Sequence, residues 1–510
     1  MTDFPWLTTL ALVPLIGAAV VAGMPATREL LAKQVTLGFS LATLALTVAM
    51  ALQFDSDSSA EFQFAEVHEW IPQFGVSYAL GVDGIALVLI ALATVLTPVC
   101  VLASWHDVES QRRSVKGYFA LLLLLETFMI GVFAATDVFL FYVLFEAMLV
   151  PMYFIIGSYG GPQRSYAAVK FLLYSLAGGL LMLAAVIGLY VVSDGGPQAF
   201  LFERLLGTEM GTATERLLFL GFFVAFAIKA PLWPVHTWLP DAAAESPPGG
   251  AVLLVGVLDK VGTFGMIRFC LPLFPDASLW ARPVVITLAV VGILYGALLA
   301  IGQTDMRRLI AYTSISHFGF IVMGIFAMTT QSQAGASLYM VNHGFSTAAL
   351  FLIAGFLVSR RGSRLIADYG GVQRVAPMLA GTFLLAGLSS LALPGLSTFV
   401  SEFLVLVGTF SRYEAAAVIA TGGIILASVY ILLMYQRTMT GEPTEHTARM
   451  PDLTRREVSV VAPLIAVIVG LGFYPQPVLD VINPAVDRTM QQVGVTDPEP
   501  VVPAAEGAAE

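Results

Sequence analysis

Charge is scarce in this 510-residue chain: Asp, Glu, Lys and Arg make up 12% of it, while 57% is hydrophobic. An ordinary soluble domain carries about 25% charged residues, and here apolar runs of about 20 residues recur from end to end. A soluble globular protein is excluded, and an all-α polytopic membrane protein is expected. Basic residues are also few. With 25 Lys and Arg against 35 Asp and Glu, the net charge is −10, and no nucleic-acid partner is expected. Cysteine is nearly absent: Cys100 and Cys270 are too few for an iron–sulfur cluster or a Cys-rich zinc site, and both fall in or beside apolar runs, where inert core thiols are expected. Missing too are a G-x-G-x-x-G turn after a strand, a Walker A loop and H-E-x-x-H, so the chain is expected to hold no nucleotide or metal itself. The opening "MTDFPW" lacks the basic region of a cleavable signal peptide, so the first apolar run reads as a mature helix.

What is present is a series of apolar segments at roughly 4–24, 34–54, 80–105, 114–135, 137–157, 164–193, 213–232, 248–271, 278–301, 305–329, 333–359, 371–411, 413–440 and 455–475. Fourteen helices are predicted. The segment 371–411 is too long for one straight span and contains "LALPGLSTF", so it is read as one helix interrupted at Pro394. Residues 55–78, aromatic and acidic, form the longest loop, with room for a short hairpin, and the tail "DPEPVVPAAEGAAE" reads as a short solvated end. Sorting the basic residues by loop places 16 after odd-numbered helices, 6 on the other face and Lys170, Lys229 and Lys260 within helices. By the positive-inside rule, both termini face away from the cytoplasm.

One stretch breaks the apolar pattern. In "AIKAPLWPVHTWLPDA", Ala227 to Ala242, Lys229 lies about 12 residues into its run, about 18 Å deep in a hydrocarbon core of about 30 Å. Pro231, Pro234 and Pro240 cannot donate to the carbonyls of Ala227, Ala230 and His236, so the helix must open there. Open backbone at that depth is tolerated only against protein or a water-filled cavity, so a wet polar pocket around a buried amine is expected. The plainer alternative, a snorkelling lysine, needs an interface within a few residues, and "PLWPVHTWLP" reads as embedded.

Further midspan ionisable residues are Glu146 in "FYVLFEAMLVPMYF", Lys260 in "VLLVGVLDKVGTFG", His317 in "AYTSISHFGF", His343 in "LYMVNHGFSTAAL" and Glu402 in "LPGLSTFVSEFLVL". A charge at the centre of a span costs roughly 2.5–3.5 kcal/mol on insertion scales, so several together ask for a shared function. Their spacing is regular: Lys229 and Glu402 are 173 positions apart, Glu146 and His317 171, and Lys170 and His343 173. The offset spans five helices, and an odd number inverts the second copy, which predicts two inverted five-helix repeats with a Pro-broken helix in each. The resulting division is 1–113 for helices 1 to 3 and the outward loop, 114–271 and 278–440 for the repeats, and 441–510 for the last helix and acidic tail.

Lysine, glutamate and histidine gain and lose protons. Burial favours the neutral form of an amine and a nearby carboxylate favours the charged form, so changing the carboxylate's influence loads or empties the amine. Imidazoles, which ordinarily titrate near neutrality, suit a relay between Lys260 and Glu402. Three secondary candidates have plainer readings. Glu126 divides between an accessory proton site and a paired structural carboxylate; Lys170, within two turns of the basic end of its helix, reads as snorkelling; His236 reads as bonding a freed carbonyl. Asp83 and Asp137 read as helix caps.

At these residues the chain resembles a known family. "FEAMLVPMYF", "IKAPLWPVHTWLPDA", "RRLIAYTSISHFGF" and "LPGLSTFVSEF" resemble signatures of the antiporter-like membrane-arm subunits of respiratory complex I, over about residues 80–475. Glutamate at position 402, where chains L and N and the subunits of multi-subunit cation/proton antiporters usually carry lysine, and the lack of a long lateral helix favour the chain M branch. The resemblance implies fourteen helices, no redox cofactor in this chain, and proton translocation driven by quinone reduction elsewhere in a NADH:quinone oxidoreductase. It implies FMN and iron–sulfur clusters in other subunits, chains L and N as neighbours, and a bacterial plasma membrane as the location. By position it implies Glu146 and Lys229 as a charge-coupled pair, Lys260 as central link, His317 and His343 as relay, and Glu402 as terminal protonatable group. A subunit of a multi-subunit cation/proton antiporter is the alternative, and a scaffold that only spaces other subunits is a second. Two positions depart from the family pattern: Ala243 stands in place of a histidine, and Asp259 precedes Lys260 where an apolar residue is expected. Neighbours in a helix point apart, so Asp259 need not pair with Lys260.

Overall fold

The computed structural model describes residues 4–107, 114–193 and 195–499. Among them, twelve helices are long and apolar enough to cross a membrane, and two further crossings are interrupted near their middles. In chain order, α1 is Trp6–Gly23, α2 Glu29–Ala51, α3 Gly84–Ala103, α4 Val115–Ala134, α5 Val138–Tyr159 and α6 Arg164–Val192. The first interrupted crossing consists of α7, Thr212–Lys229, and α8, Trp238–Glu245. Then follow α9 Pro248–Leu273, α10 Pro275–Ile301, α11 Met306–Ala327 and α12 Thr330–Arg361. The second interrupted crossing is α13, Pro377–Ser390, with α14, Ser397–Phe410, and α15 Glu414–Met439 and α16 Arg455–Phe473 complete the set.

Polar punctuation begins these apolar helices as the sequence suggests. Asp83 accepts from the Ala86 amide ahead of α3, and Asp137 accepts from the Phe139 and Leu140 amides ahead of α5. Asp305 caps α11, and Thr329 and Thr454 form reciprocal capping boxes ahead of α12 and α16. Each cap satisfies amide donors that a helix start leaves unpaired.

The loop 55–78 contains most of a two-stranded antiparallel hairpin, β1 Gln63–Ile71 and β2 Val76–Val82. It marks one face of the molecule. The Leu7 amide donates to Glu66 at 2.8 Å, and Gln492 donates to Glu61 at 2.7 Å, so both ends of the described chain lie beside the hairpin. The tail departs from expectation: Gln476–Val493 forms a further amphipathic helix, α17, packed on that face. Its apolar residues alternate with Asp, Gln and Arg at helical spacing, which makes it too polar for a hydropathy reading to single out. Arg112, Arg113 and the final acidic residues from 500 lie outside the described residues, as does Asp194.

The opposite face is crowded with ion pairs. Asp241 of α8 accepts from Lys170 at 2.8 Å and Arg308 at 2.5 Å, Arg364 reaches Glu245 at 2.9 Å, and Arg360 holds Glu457 through two parallel bonds of 2.8 and 2.7 Å. Lys170 is thus bound to α8 and does not reach past it to headgroups as expected. At the molecule's centre, α9, α11 and α12 are buried along nearly their whole length, and these three helices carry Lys260, His317 and His343.

Candidate functional site

The first break is built by its prolines. The helix stops at Lys229, and the freed carbonyls are taken up locally: the Leu232 amide donates to Ala227 at 2.9 Å and the Trp238 indole donates to Ile228 at 2.9 Å. His236 makes neither of these bonds. Its Nδ1 finds no partner, and its ring stands edge-on to Tyr295 at 5.2 Å between centroids. The second break, between Ser390 and Ser397 around Pro394, is held by Asn342 of α12, which donates to the Ser397 carbonyl at 2.7 Å.

Five of the six principal residues expected from the sequence, Lys229, Lys260, His317, His343 and Glu402, are only 0–4% exposed. Glu146 is half-buried on the flank of the protein, where its carboxylate fills a notch at Gly179 of α6; a Cβ there would sit 1.8 Å from Glu146 Oε1. Lys229 and Glu146 are in electrostatic reach of each other without an ion pair. The amine lies instead over the Phe145 ring, 4.5 Å from its centroid, and Nζ has no hydrogen-bond partner.

Further in, the groups touch. Two π-turns, Leu254–Leu258 and Met266–Cys270, widen α9 on either side of Lys260. Such turns occur frequently at functional sites because they re-aim side chains and loosen carbonyls. Lys260 Nζ donates to the Val255 carbonyl at 2.5 Å and meets His343 Nδ1 at 2.7 Å. The His343 and His317 rings lie 5.4 Å apart. His317 Nδ1 meets the Tyr339 hydroxyl at 2.6 Å, and that hydroxyl donates to Glu402 Oε2 at 2.6 Å. A line of exchangeable groups thus runs from Lys260 to Glu402 across α9, α12, α11 and α14.

Tyr339 is the residue that sequence reasoning missed. A signal existed: Tyr339 and His343 are four apart in one helix and share a face. Among the secondary candidates, Glu126 is fully buried with neither oxygen in a hydrogen bond, while its neighbour Thr97 gives its hydroxyl to the Ala93 carbonyl at 2.9 Å. Ala243 is buried in α8 and brings no ionisable group to this path. Cys100 and Cys270 are buried free thiols.

A family described as "NADH:quinone oxidoreductase/Mrp antiporter, TM" matches residues 135–427, which include both breaks and the whole line from Lys229 to Glu402. The NADH-quinone oxidoreductase subunit M of Mycobacterium tuberculosis is 55% identical over 98% of this chain and 97% of its own length. The chain belongs to this family of antiporter-like membrane subunits. Within it, a chain of respiratory complex I from Thermus thermophilus superposes with a TM-score of 0.87 at 30% identity, over 96% of this chain and 100% of its own. A chain of the Mrp complex from Dietzia shares the fold, with a TM-score of 0.85 over 97% of this chain and 100% of its own at 24% identity. As an antiporter-like subunit of an NADH:quinone oxidoreductase, the chain is multi-pass and membrane-embedded.

Proposed function

We propose that this chain is the M-type subunit of a bacterial NADH:quinone oxidoreductase and carries protons across the plasma membrane while quinone is reduced in another part of the assembly. The observation that carries this reading is the buried line of contacts from Lys260 through His343, His317 and Tyr339 to Glu402. Proton transfer needs donors and acceptors at hydrogen-bond spacing or one water apart, and away from bulk water that spacing has to be supplied by the protein.

In this account Glu146, on the flank, and Lys229, at the first break, form a charge-coupled pair. When the field of Glu146 is felt, Lys229 holds its proton; when a neighbouring subunit neutralises or draws off that field, the buried amine, which has no hydrogen-bond partner, releases it. Lys260 links the halves, the two histidines relay, and Glu402 delivers the proton at the second break. The two breaks and the near-constant offset between matched residues support two inverted five-helix repeats, 114–271 and 278–440, between the first three helices and the terminal region from 441. Neighbouring chains of the L and N type flank it, and FMN and iron–sulfur clusters belong to other subunits. The ends of the described chain, on the hairpin face, lie outside the cytoplasm, since the opposite face carries the greater share of basic residues.

Lys229→Met and Glu402→Gln are expected to leave the complex assembled and to abolish most NADH-driven proton uptake in inverted vesicles. Full pumping in either variant overturns the reading. Lys229→Arg is expected to pump poorly as well, because a guanidinium hardly ever gives up its proton. Sodium-dependent transport without NADH would instead place the chain with the cation/proton antiporters.

A further inference from the structure

A gap remains in the line just described. Lys229 sits at the break of α7 and Lys260 in the middle of α9, and no hydrogen bond joins them among the described residues. Between them lies Asp259. It is fully buried, and neither carboxyl oxygen has a hydrogen-bond partner. Leaving a buried polar group unpaired costs about 1–3 kcal/mol, more if it is charged, so an unpaired carboxyl at the centre of a well-packed protein asks for a reason.

The backbone explains where it points. Gly262 packs against the end of α7 so tightly that a Cβ there would lie 2.6 Å from the Ala230 amide. Asp259 is three residues earlier in the same helix and therefore shares that face, the one turned to Phe226 and Ala230 at the end of α7, where Lys229 sits. Lys260 is turned from it by about 100° and faces α12, where it meets His343. The amide of Asp259 donates to Leu254 at 3.2 Å, the five-residue step of the π-turn, so the widened turn ends at this residue. Asp259 is within electrostatic reach of both lysines, and Lys229 also feels Glu146.

We propose that Asp259 is a proton-bearing station between Lys229 and Lys260. The inference rests on the proton-path reading above. The Lys229 ammonium gives one proton to the Asp259 carboxylate, leaving a neutral amine and a neutral carboxyl. The carboxyl then gives that proton to a neutral Lys260 amine, restoring the carboxylate and leaving an ammonium held by Val255 and His343. One proton moves in each step, and no electron is transferred. The station also explains how a proton leaves the neighbourhood of Glu146: a second carboxylate within reach of Lys229 supplies a competing acceptor.

The test uses the whole membrane-embedded complex, with proton uptake measured per NADH oxidised in inverted vesicles. Asp259→Asn and Asp259→Leu are expected to assemble and to lower the rate of proton uptake about a hundredfold or more, within the range that a positioned acid–base group contributes. Asp259→Glu is expected to retain most of it. In infrared difference spectra taken with and without NADH, a carboxyl C=O band is expected in the unsubstituted complex and absent from Asp259→Asn. Lys229→Met is measured in parallel. If Lys229→Met pumps poorly while Asp259→Asn pumps normally, the station is overturned and the path stands; if both pump normally, the path itself fails. Failure of the two neutral variants to assemble also overturns the station, because a carboxylate required for folding is a structural counter-ion.

Discussion

Tyr339 joins the histidine relay to Glu402, since among the described residues its hydroxyl is the one group hydrogen-bonded to both His317 and Glu402. Tyr339→Phe keeps the ring and removes that bridge. It is expected to slow proton uptake about tenfold, the equivalent of one hydrogen bond of about 1.4 kcal/mol lost from the transfer step, with little effect on assembly. Stopped-flow measurement of vesicle acidification checks this; a rate equal to that of the unsubstituted complex would mean that His317 reaches Glu402 by another route. The sequence pointed to His317, His343 and Glu402 because ionisable groups in spans are rare and costly, and a tyrosine in a span is neither. Asp259 was visible as an oddity, but its partner was not, because helical phase alone does not say which neighbour a face meets.

At the scale of the element, the breaks and the π-turns set the geometry. Prolines announced the first break, and the structure adds how it is stabilised: the Trp238 indole and the Leu232 amide replace the lost ladder bonds. Trp238→Phe is expected to leave the Ile228 carbonyl unpaired at a cost of about 1–3 kcal/mol, seen as a shorter half-life of the purified complex on warming. Gly262→Ala tests the packing of α9 on α7. A methyl group 2.5 Å from the Phe226 carbonyl must push the helices apart, an overpacking cost of about 1–3 kcal/mol, and less assembled complex is expected on native gels. The π-turns have no sequence signature that hydropathy can register.

For the whole molecule, α12 and α16 are locked at the charged face by Arg360 and Glu457, whose side chains are 7% and 5% exposed. Arg360→Ala strands a buried carboxylate and is expected to cost about 3–5 kcal/mol, reducing the amount of this chain in the assembled complex. The double substitution Arg360→Met with Glu457→Leu is expected to recover much of the loss, because replacing both charges removes the desolvation penalty with the pair. Quantitative immunoblotting of membranes against purified complex distinguishes the two outcomes.

Composition and hydropathy by themselves determined that this is a polytopic helical protein, where it crosses the membrane, and which crossings are interrupted. Those properties follow from local physics: apolar side chains partition into lipid, backbone polar groups must be satisfied within each span, and proline cannot donate. Family signatures carried the likeness to complex I subunits and the principal ionisable residues. Only the tertiary structure decided that Lys170 binds Asp241, that residues 476–493 fold back as a helix on the hairpin face, that Tyr339 bridges His317 and Glu402, and that Asp259 lies buried within reach of two lysines. Each of these depends on which faces of distant helices meet, and that is settled by packing across the whole chain.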